Sequence, residues 1–323
     1  MSHRILRITQ EAVAGVYNGA GTAIYIRMDR PNMFKPLGSP NLWRIVDGTG
    51  QNVPALTGSA TFKVAGSLSV RLCASQAQFL VGWAGQRVNS GQTSPWPTDQ
   101  LVNDLASCTI DFGWTRSDLT MKRQRYLGCK VLKGVLRSQV SETDPFVYLD
   151  LDLVGMLLQG NAYDGSTDPS SGAFPEPAYN QLPTDYYVHQ HLSGGVTLGG
   201  AVNNLVEKMS LTFSNKLKAY FDTSRFANRV RCNGRTTTLQ ARPLLQATPD
   251  NRATWEAVSN LGQCALEWNN GTHTMTATLN GQNYIDSAME DLVLDDDNYH
   301  DLNITTHLDT AATPVGDCAL AFS

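Results

Sequence analysis

The sequence is poor in charge and has no long apolar run. Asp, Glu, Lys and Arg make up 17% of the 323 residues, below the roughly 25% of an average soluble domain. Long solvated helices and disordered chains are rich in Glu and Lys, so this composition argues against both. No stretch of about 18 apolar residues occurs, which argues against a hydrophobic membrane-spanning helix. The excess of Gly, Ser, Thr, Asn and Gln is typical of a β-rich chain with many turns.

Sequence motifs of the common catalytic sites are also missing. No GxSxG, HExxH, P-loop or GxGxxG pattern occurs, so we predict no enzyme activity and no cofactor. The six cysteines, at positions 73, 108, 129, 232, 264 and 318, form no CxxC pair and no metal-ligand spacing. We therefore expect reduced, mostly buried thiols. The N-terminal residues alternate polar and apolar and lack the apolar core of a signal peptide, so we expect folding in a cytoplasm.

Charge is distributed unevenly along the chain. The net charge of −4 and the pI of about 5.8 argue against a basic nucleic-acid-binding protein. Residues 1–160 carry 16 Lys and Arg and 11 Asp and Glu, whereas residues 161–323 carry 9 and 18. The first part is therefore basic by five charges and the second acidic by nine. Either this is an accident of surface composition, or two halves of opposite charge meet in an assembly.

Short strands with period-two alternation dominate the first half. Gly66 tolerates a left-handed backbone and is predicted to turn a hairpin between two of these strands. Ser75 is a candidate helix cap, followed by an apolar helical face that includes Trp83. Strands are predicted at residues 24–28, 61–64, 68–72, 108–112, 126–137 and 146–154.

The second half repeats this logic after a loop at residues 159–200, which is rich in Gly, Pro and aromatic residues. A second helix is predicted from Thr248 at its cap to Leu261, with Gly262 just past its end. Its apolar face includes Trp255 and Val258. Strands are predicted at residues 209–213, 226–232, 236–242, 264–268, 272–279 and 300–308.

The order of these elements indicates an internal duplication. Each half has a strand pair, a Trp-bearing helix, a strand that begins near a cysteine, and a late alternating strand. Cys108 precedes Leu149 by 41 residues and Cys264 precedes Ile304 by 40. A tandem repeat explains this spacing, although two generic β-rich halves can match by chance. We predict a mainly β fold of two tandem β-sandwich or barrel domains, each with a flanking helix, at residues 1–158 and 201–323, joined by the loop at 159–200.

Three clusters of reactive side chains could each form a functional site, but each also has a simpler structural interpretation. His189 and His191 alternate beside Asp185 and would suit a metal, but a solvated or interfacial role is the simpler interpretation. The run Asp295, Asp296 and Asp297 lacks the alternation of a calcium loop and reads as a solvated acidic turn. Asp150 and Asp152 share one strand face, as glycosidase carboxylates would, but an exposed polar sheet has the same pattern.

Two further segments are candidates for contacts with a partner. The basic run at Lys122, Arg123 and Arg125 is short, so it predicts a surface loop or an ion-pairing interface before a nucleic-acid site. The loop at residues 29–41 exposes apolar residues that either contact a partner or fold back on their own domain. These apolar residues are Met33, Phe34 and Leu37.

An ordered set of segments resembles the tail tube proteins of long-tailed (siphophage-like) phages. The resemblance covers most of residues 55–323 and depends on the alternating pattern of the strands and on the internal duplication. The segments are LASCTI at 105–110, RYLGCKV at 125–131, LDLDLVG at 149–155, MSLTFSN at 209–215, NGR at 233–235 and DLVLDDD at 291–297.

The resemblance implies a structural virion protein. In this family a small β domain with a flanking helix joins its sheet to those of other copies, and the resulting rings stack into a hollow phage tail. A chain with two such domains would form trimers with pseudo-sixfold symmetry. Implied partners are the chain itself, the tape measure, tail terminator and distal tail proteins, and double-stranded DNA that passes without specific binding. The expected location is the virion, after synthesis in the bacterial host cytoplasm, with no membrane involved.

The resemblance also assigns expected roles to residues. Asp150 and Asp152 are expected to face the lumen, where an acidic lining would repel DNA phosphates. Two alternatives stay open: a minor tail or baseplate module that binds host glycan, and a glycan-active enzyme that uses the same two carboxylates. The expected subunit and ring contacts are Met33, Phe34, Leu37, Tyr163, Phe174, Tyr179, Lys122, Arg123, Arg125, Asp295, Asp296 and Asp297.

Overall fold

A computed structural model gives the fold of most of the chain. It describes residues 4–28, 33–45, 56–85, 105–115, 121–141, 143–159, 182–189, 195–203, 206–243, 257–291, 299–307 and 317–323. The mainly β fold predicted from alternation is confirmed, and the strands pair antiparallel throughout the described residues.

Seventeen strands and one helix form in the described residues. The elements before residue 160 are β1 (Arg4–Gln10), β2 (Ala23–Arg27), β3 (Met33–Ile45), β4 (Leu56–Arg71), α1 (Ala74–Gly85), β5 (Cys108–Thr115), β6 (Met121–Gln139), β7 (Tyr148–Gly155) and β8 (Leu157–Gln159). The later elements are β9 (Gly195–Leu198), β10 (Ala201–Asn203), β11 (Val206–Tyr220), β12 (Arg229–Pro243), β13 (Cys264–Asn269), β14 (Thr274–Leu279), β15 (Gln282–Asp291), β16 (Tyr299–His307) and β17 (Cys318–Phe322).

Eight strands form one long sheet, and two smaller sheets flank it. The long sheet has the order β3-β4-β7-β6-β11-β12-β16-β15. The first flanking sheet has the order β2-β1-β5-β6-β8, and the second has the order β10-β9-β13-β14-β17. Strand β6 belongs to two sheets because it bends at Gly128, whose φ is +65°. Its first half pairs with β5 and β8, and its second half pairs with β7 and β11.

The same strand order occurs twice. We name β1–β8 with α1 repeat one, and β9–β17 repeat two. Within the long sheet, β3-β4-β7-β6 matches β11-β12-β16-β15, and each flanking sheet also has five strands in matching order. The strands that begin at Cys108 and Cys264 occupy equivalent places. The strands of repeat two differ in that β14 and β15 together take the place of the single bent strand β6, and no counterpart of α1 occurs among the described residues of repeat two.

The helix α1 lies where both repeats meet. Its cap region is fixed by Asp185, whose side chain accepts hydrogen bonds from the Ser75 amide and hydroxyl. Trp83 is fully buried and donates its indole N–H to the Ala106 carbonyl. At the end of the helix, a side chain at Gly85 would contact Leu320 and Phe213 of repeat two. One continuous hydrophobic core therefore extends through both repeats.

Three sequence predictions need correction. Strand β4 runs without interruption through Gly66, because the alternation of Phe62, Val64 and Leu68 continues across it and both neighbouring strands pair with it. Likewise, the two strands predicted at 226–232 and 236–242 are one strand, β12, with an irregularity near Gly234.

The second predicted helix is also wrong at its end. Residues 257–263 are not helical, Val258 has a φ of +49° and its side chain is 77% exposed, whereas Leu261 is buried. Val258 therefore does not belong to a common apolar face with Leu261. Residues 244–256, which include the predicted cap at Thr248 and Trp255, lie outside the described residues.

Candidate assembly interface

Strands β6 and β11 form a seam that joins the two repeats into one sheet. Seven residues of β6 pair with seven of β11, from Lys133 opposite Ser214 to Gln139 opposite Lys208. Each repeat would otherwise end in a strand with unpaired backbone groups, which attracts other strands. The seam satisfies those groups on one side of each repeat.

A buried polar network supports the seam behind the sheet. The Trp268 indole N–H donates to Ser138 Oγ at 2.8 Å, and Ser138 Oγ lies 2.8 Å from His189 Nδ1. His189 Nε2 lies 2.9 Å from the Val206 carbonyl oxygen, which can only accept, so Nε2 carries the proton and Nδ1 accepts from Ser138. His189 is therefore a buried connector between the repeats, and a solvated role for it is wrong.

Two further buried side chains bond across the seam. The Lys130 ammonium is buried and donates to the Val230 carbonyl at 2.8 Å. The Asn215 amide donates to the Val131 carbonyl at 2.9 Å. Buried polar groups cost several kcal/mol when they lack partners, so these bonds favour one relative placement of the two repeats.

The long sheet ends in two edge strands, β3 and β15. Among the described residues, β3 pairs only with β4, and β15 pairs only with β16. By position in the repeat, β3 is the equivalent of β11, and β15 is the equivalent of the second half of β6. Since β6 and β11 pair with each other at the seam, β15 and β3 are the corresponding pair of strands, and within the described residues neither of them has a second neighbour.

Bulges align the two repeats residue by residue near these edges. The β6–β7 ladder has a shift between Val131 and Lys133, and the β15–β16 ladder has one between Ile285 and Ser287. These shifts make Leu153 of β7 and Ile304 of β16 equivalent. Through Gly66 of β4, Leu153 leads to Pro36 of β3, and through Leu239 of β12, Ile304 leads to Leu211 of β11. Pro36 therefore corresponds to Leu211, and Ser39 corresponds to Ser214. On this alignment Ser287 corresponds to Lys133.

The two edges differ in charge and in backbone donors. No Lys or Arg occurs between residues 282 and 307, which contain seven Asp and Glu, whereas β3 contains Lys35 and Arg44 and no acidic residue. Strand β3 also contains Pro36 and Pro40, which have no N–H to donate. Proline on an edge strand weakens uncontrolled edge-to-edge pairing.

Asp150 and Asp152 lie on the exposed face of the long sheet, as alternation predicts. Asp150 accepts hydrogen bonds from Ser69 Oγ and from Arg137 Nε, the latter at 2.6 Å. Asp152 is exposed and lies opposite Lys133 in the register with β6. The described part of this face therefore carries charges of both signs, and strands β6 and β7 do not form a purely acidic surface.

A cleft of about 510 Å³ opens on this face at one end of the seam. It is formed by the ends of β6, β7, β11, β12 and β16. Its lining residues include Arg137, Phe146, Tyr148, Gln240, Asp301 and Asn303. A mixture of aromatic, amide and charged side chains suits a polar ligand.

The apolar residues predicted at a loop tip are instead in strand β3. Met33 is 45% exposed, whereas Phe34 packs against Phe112 and Tyr126 with ring centroids 5.4 and 5.9 Å apart. Phe34 thus folds back on its own repeat. Leu37 pairs with Ala65 through its backbone.

The predicted basic run opens strand β6. The backbones of Lys122 and Arg123 pair with β5. Arg125 is engaged within the chain, since its Nε lies 2.7 Å from Asp111 and its guanidinium lies 3.7 Å from the Tyr17 ring centroid. The remaining predicted contacts lie outside the described residues: Tyr163, Phe174, Tyr179, Asp295, Asp296 and Asp297.

The cysteines are buried, with one exception. Burial raises the pKa of Cys73 to about 12 and that of Cys264 to about 11. Burial, followed by the nearby Glu11 carboxylate, raises the pKa of Cys108 and of Cys129 well above the ordinary value. Only Cys232 is partly exposed.

Two features are absent from the part of the chain that the structure describes: a cluster of metal ligands and a helix that could span a membrane. No group of three or more His, Cys, Asp or Glu side chains there is arranged to hold a metal ion. None of its helices is both long enough and apolar enough to span a bilayer.

Comparison with protein families and with curated sequences gives no match. No protein-family model matches the chain, and no curated protein matches it in sequence. The features of the described residues that bear on function are therefore the repeated strand order, the seam and the two edge strands β3 and β15.

Proposed function

We propose that this chain is a structural protein that assembles into rings and stacked tubes, as the tail tube of a long-tailed phage. The observation that carries the proposal is the repeated strand order with its internal seam. An edge like that of β6 already pairs with an edge like that of β11 inside one chain. Pairing of β15 with β3 of another copy would repeat this contact between copies.

The proposed contact is of a kind that closes into rings. It joins two different surfaces of the chain, so each added copy presents the same open edge as the last. If the rotation that relates neighbouring copies equals the rotation that relates the two repeats of one chain, the sheets join into a closed ring with no free edge. Three copies with two repeats each would give the pseudo-sixfold ring that the resemblance implies, with two tandem domains per copy.

Charge supports pairing of unlike edges. The stretch from 282 to 307 is wholly acidic in its charged residues, and β3 carries Lys35 and Arg44. Unlike edges attract each other, whereas two acidic edges repel, so charge disfavours the incorrect pairing. The prolines of β3 reduce the number of backbone bonds at this contact, which limits premature association of free copies.

On this proposal the exposed face of the long sheet lines the bore. Its acids are balanced by cations, as in the pairs Arg137 with Asp150 and Lys208 with Asp301. Between them lie Ser69, Thr212, Thr238 and similar neutral side chains. Such a lining offers DNA no dense array of free cations in its middle, which suits passage without specific binding.

The test is a crosslink across the proposed contact, combined with electron microscopy. By the repeat alignment, Ser39 and Ser287 correspond to Ser214 and Lys133, which face each other at the seam. The variant Ser39→Cys/Ser287→Cys should therefore form disulfide-linked dimers and trimers on mild oxidation. Electron microscopy of the wild type should show rings or tubes of constant width.

The matched control is Ser39→Cys/Ser214→Cys, because both sides of β11 are already paired within the chain. It should give little crosslinking. A wild type that remains monomeric at high concentration, with no crosslink in the first variant, would refute the proposed function. Rings without the Ser39–Ser287 crosslink would instead refute the edge that we assign.

The cleft of about 510 Å³ favours a second candidate function, a tail or baseplate module that binds glycan. Phe146 and Tyr148 supply aromatic surface there, and Gln240 and Asn303 supply amide groups. Binding on a glycan array that is lost in Tyr148→Ala would support this candidate. A hydrolase activity that is lost in Asp150→Asn would instead favour the enzyme reading.

A further inference from the structure

The far end of the β11–β12 hairpin is densely basic. Residues 216–231 contain five Lys and Arg and one acidic residue, Asp222. The backbone register places Lys218 directly opposite Arg231, and Tyr220 directly opposite Arg229. Like charges that face each other across a strand pair are destabilising. A cluster of this kind therefore has an energetic cost in the isolated chain.

Among the described residues, no acidic side chain neutralises these cations. At the opposite end of the same sheet, Arg71, Arg137, Lys208 and Arg242 each have an acidic partner within 3.4 Å. By contrast, no carboxylate forms an ion pair with any of the five cations of the hairpin end, counting every residue that the structure describes. These five are Lys216, Lys218, Arg225, Arg229 and Arg231.

The hairpin end is also structured and carries exposed aromatic side chains. Asp222 caps the turn by accepting hydrogen bonds from the Ser224 amide and the Asn228 side chain. Tyr220 and Phe221 remain 38% and 37% exposed. An ordered surface whose cations have no carboxylate partner among the described residues, and which also exposes aromatic rings, has the composition of an interaction site.

The acidic end of the long sheet lies at the other end of the same strands. Strand β16 pairs with β12 from Thr306 opposite Thr237 to Leu302 opposite Ala241, so its start at Tyr299 extends toward Pro243. Asp291, the last residue of β15, pairs with Tyr299. The backbones of Glu290 and Asp291 therefore lie at the Pro243 end of β12. The basic residues lie at its Arg229 end, about 46 Å away at 3.3 Å per residue.

We propose that the basic end of the β11–β12 hairpin binds the acidic β15–β16 end of a second copy of this chain. This inference rests on the proposed function, and it places the contact between successive rings. Strands that cross a ring from rim to rim put their two ends on opposite rims, so head-to-tail stacking brings opposite charges together. The same arrangement opposes head-to-head stacking, because like charges would then meet.

Charge reversal on either rim provides the test. The variant Arg229→Glu/Arg231→Glu should still form rings but should stack with an affinity lower by at least about tenfold. The variant Glu290→Lys/Asp291→Lys should also stack more weakly, and because both residues belong to the edge strand β15, its rings should also form less readily than those of the wild type. Mixed together, rings of the two variants should stack on each other, because both altered rims are again complementary. Sedimentation velocity and microscopy measure ring and stack populations.

A charge-preserving variant and an ionic-strength series complete the design. Arg229→Lys/Arg231→Lys should stack like the wild type. Stacking of the wild type should weaken from 50 to 500 mM NaCl, since salt screens exposed charges. Fluorescence anisotropy with a labelled DNA duplex tests the competing partner.

The outcomes separate this inference from the proposed function. A wild type that never forms rings overturns both. Rings that do not stack, or reversed variants that stack normally, overturn this inference alone. DNA binding that is lost in Arg229→Glu/Arg231→Glu while stacking is unchanged would assign the basic end to nucleic acid instead.

Discussion

A buried carboxylate, Glu11, should be the most sensitive polar position of repeat one. Its Oε1 accepts hydrogen bonds from Thr109 Oγ1 at 2.7 Å and from the Gly128 amide at 2.9 Å. Its Oε2 accepts from Ser107 Oγ at 2.6 Å and from the Gly15 amide at 2.9 Å. One side chain thus connects the first loop, the start of β5 and the bend of β6.

The variant Glu11→Gln keeps the shape but replaces one accepting oxygen with a donating NH₂ group. Whichever way the amide is oriented, one hydroxyl and one backbone N–H lose their acceptor. The hydroxyl can rotate and accept from the new NH₂, but the backbone N–H cannot. Bonds to a charged group contribute about 1.5–3 kcal/mol each, and a stranded buried donor costs about 1–3 kcal/mol. We expect the free energy of unfolding to fall by about 3–5 kcal/mol.

Urea denaturation followed by tryptophan fluorescence measures this loss. The matched control is Glu207→Gln, because Glu207 is 41% exposed and pairs with Arg242 at 3.0 Å on the surface. Such surface pairs contribute about 1 kcal/mol or less. A loss below about 1 kcal/mol for Glu11→Gln, or equal losses for both variants, would refute the role that the geometry assigns to Glu11.

Two further predictions concern pH and the strand edge. The thiols of the unfolded chain have a pKa near 9.0, whereas burial in the folded chain raises the pKa of Cys73 to about 12 and that of Cys264 to about 11. Stability should therefore fall as pH rises above about 9, by up to about 1.4 kcal/mol per pH unit for each thiol. Equal urea midpoints at pH 8 and pH 10.5 would contradict this, and Cys264→Ala should reduce the slope. A Cβ at Gly281 would overlap the His307 carbonyl oxygen. Gly281→Ala should therefore disrupt the β15–β16 pairing and lower the free energy of unfolding by at least about 2 kcal/mol. Gly271→Ala, at a φ of +86° with open space around it, should cost only about 1 kcal/mol.

The local pattern of the sequence was enough to predict the class of fold and many of its elements. Period-two alternation places Leu149, Leu151 and Leu153 on one buried face of a strand, as the structure has them. The apolar face that contains Trp83 and begins after Ser75 predicts the helix α1. These features depend on residues within one or two turns of each other, so a single sequence contains the necessary information.

The tertiary structure alone decided how far strands continue and which residues meet. Gly66 has the local signature of a turn, but pairing on both sides keeps β4 extended. His189 is polar and belongs to a stretch rich in Gly and Pro, yet it is buried because Ser138 and Val206 supply its hydrogen bonds from distant strands. Such contacts are set by partners more than 15 residues away and leave no local signal.

The sequence by itself therefore established a β-rich chain, a matching order of elements in its two halves, and an uneven charge. Only the tertiary structure joined the halves through β6 and β11, left β3 and β15 as open edges, and placed the basic and acidic segments at opposite ends of the same strands. The physical reason is that alternation determines which face of a strand is buried, whereas the neighbour of a strand in the sheet is chosen by pairing between residues far apart in the chain.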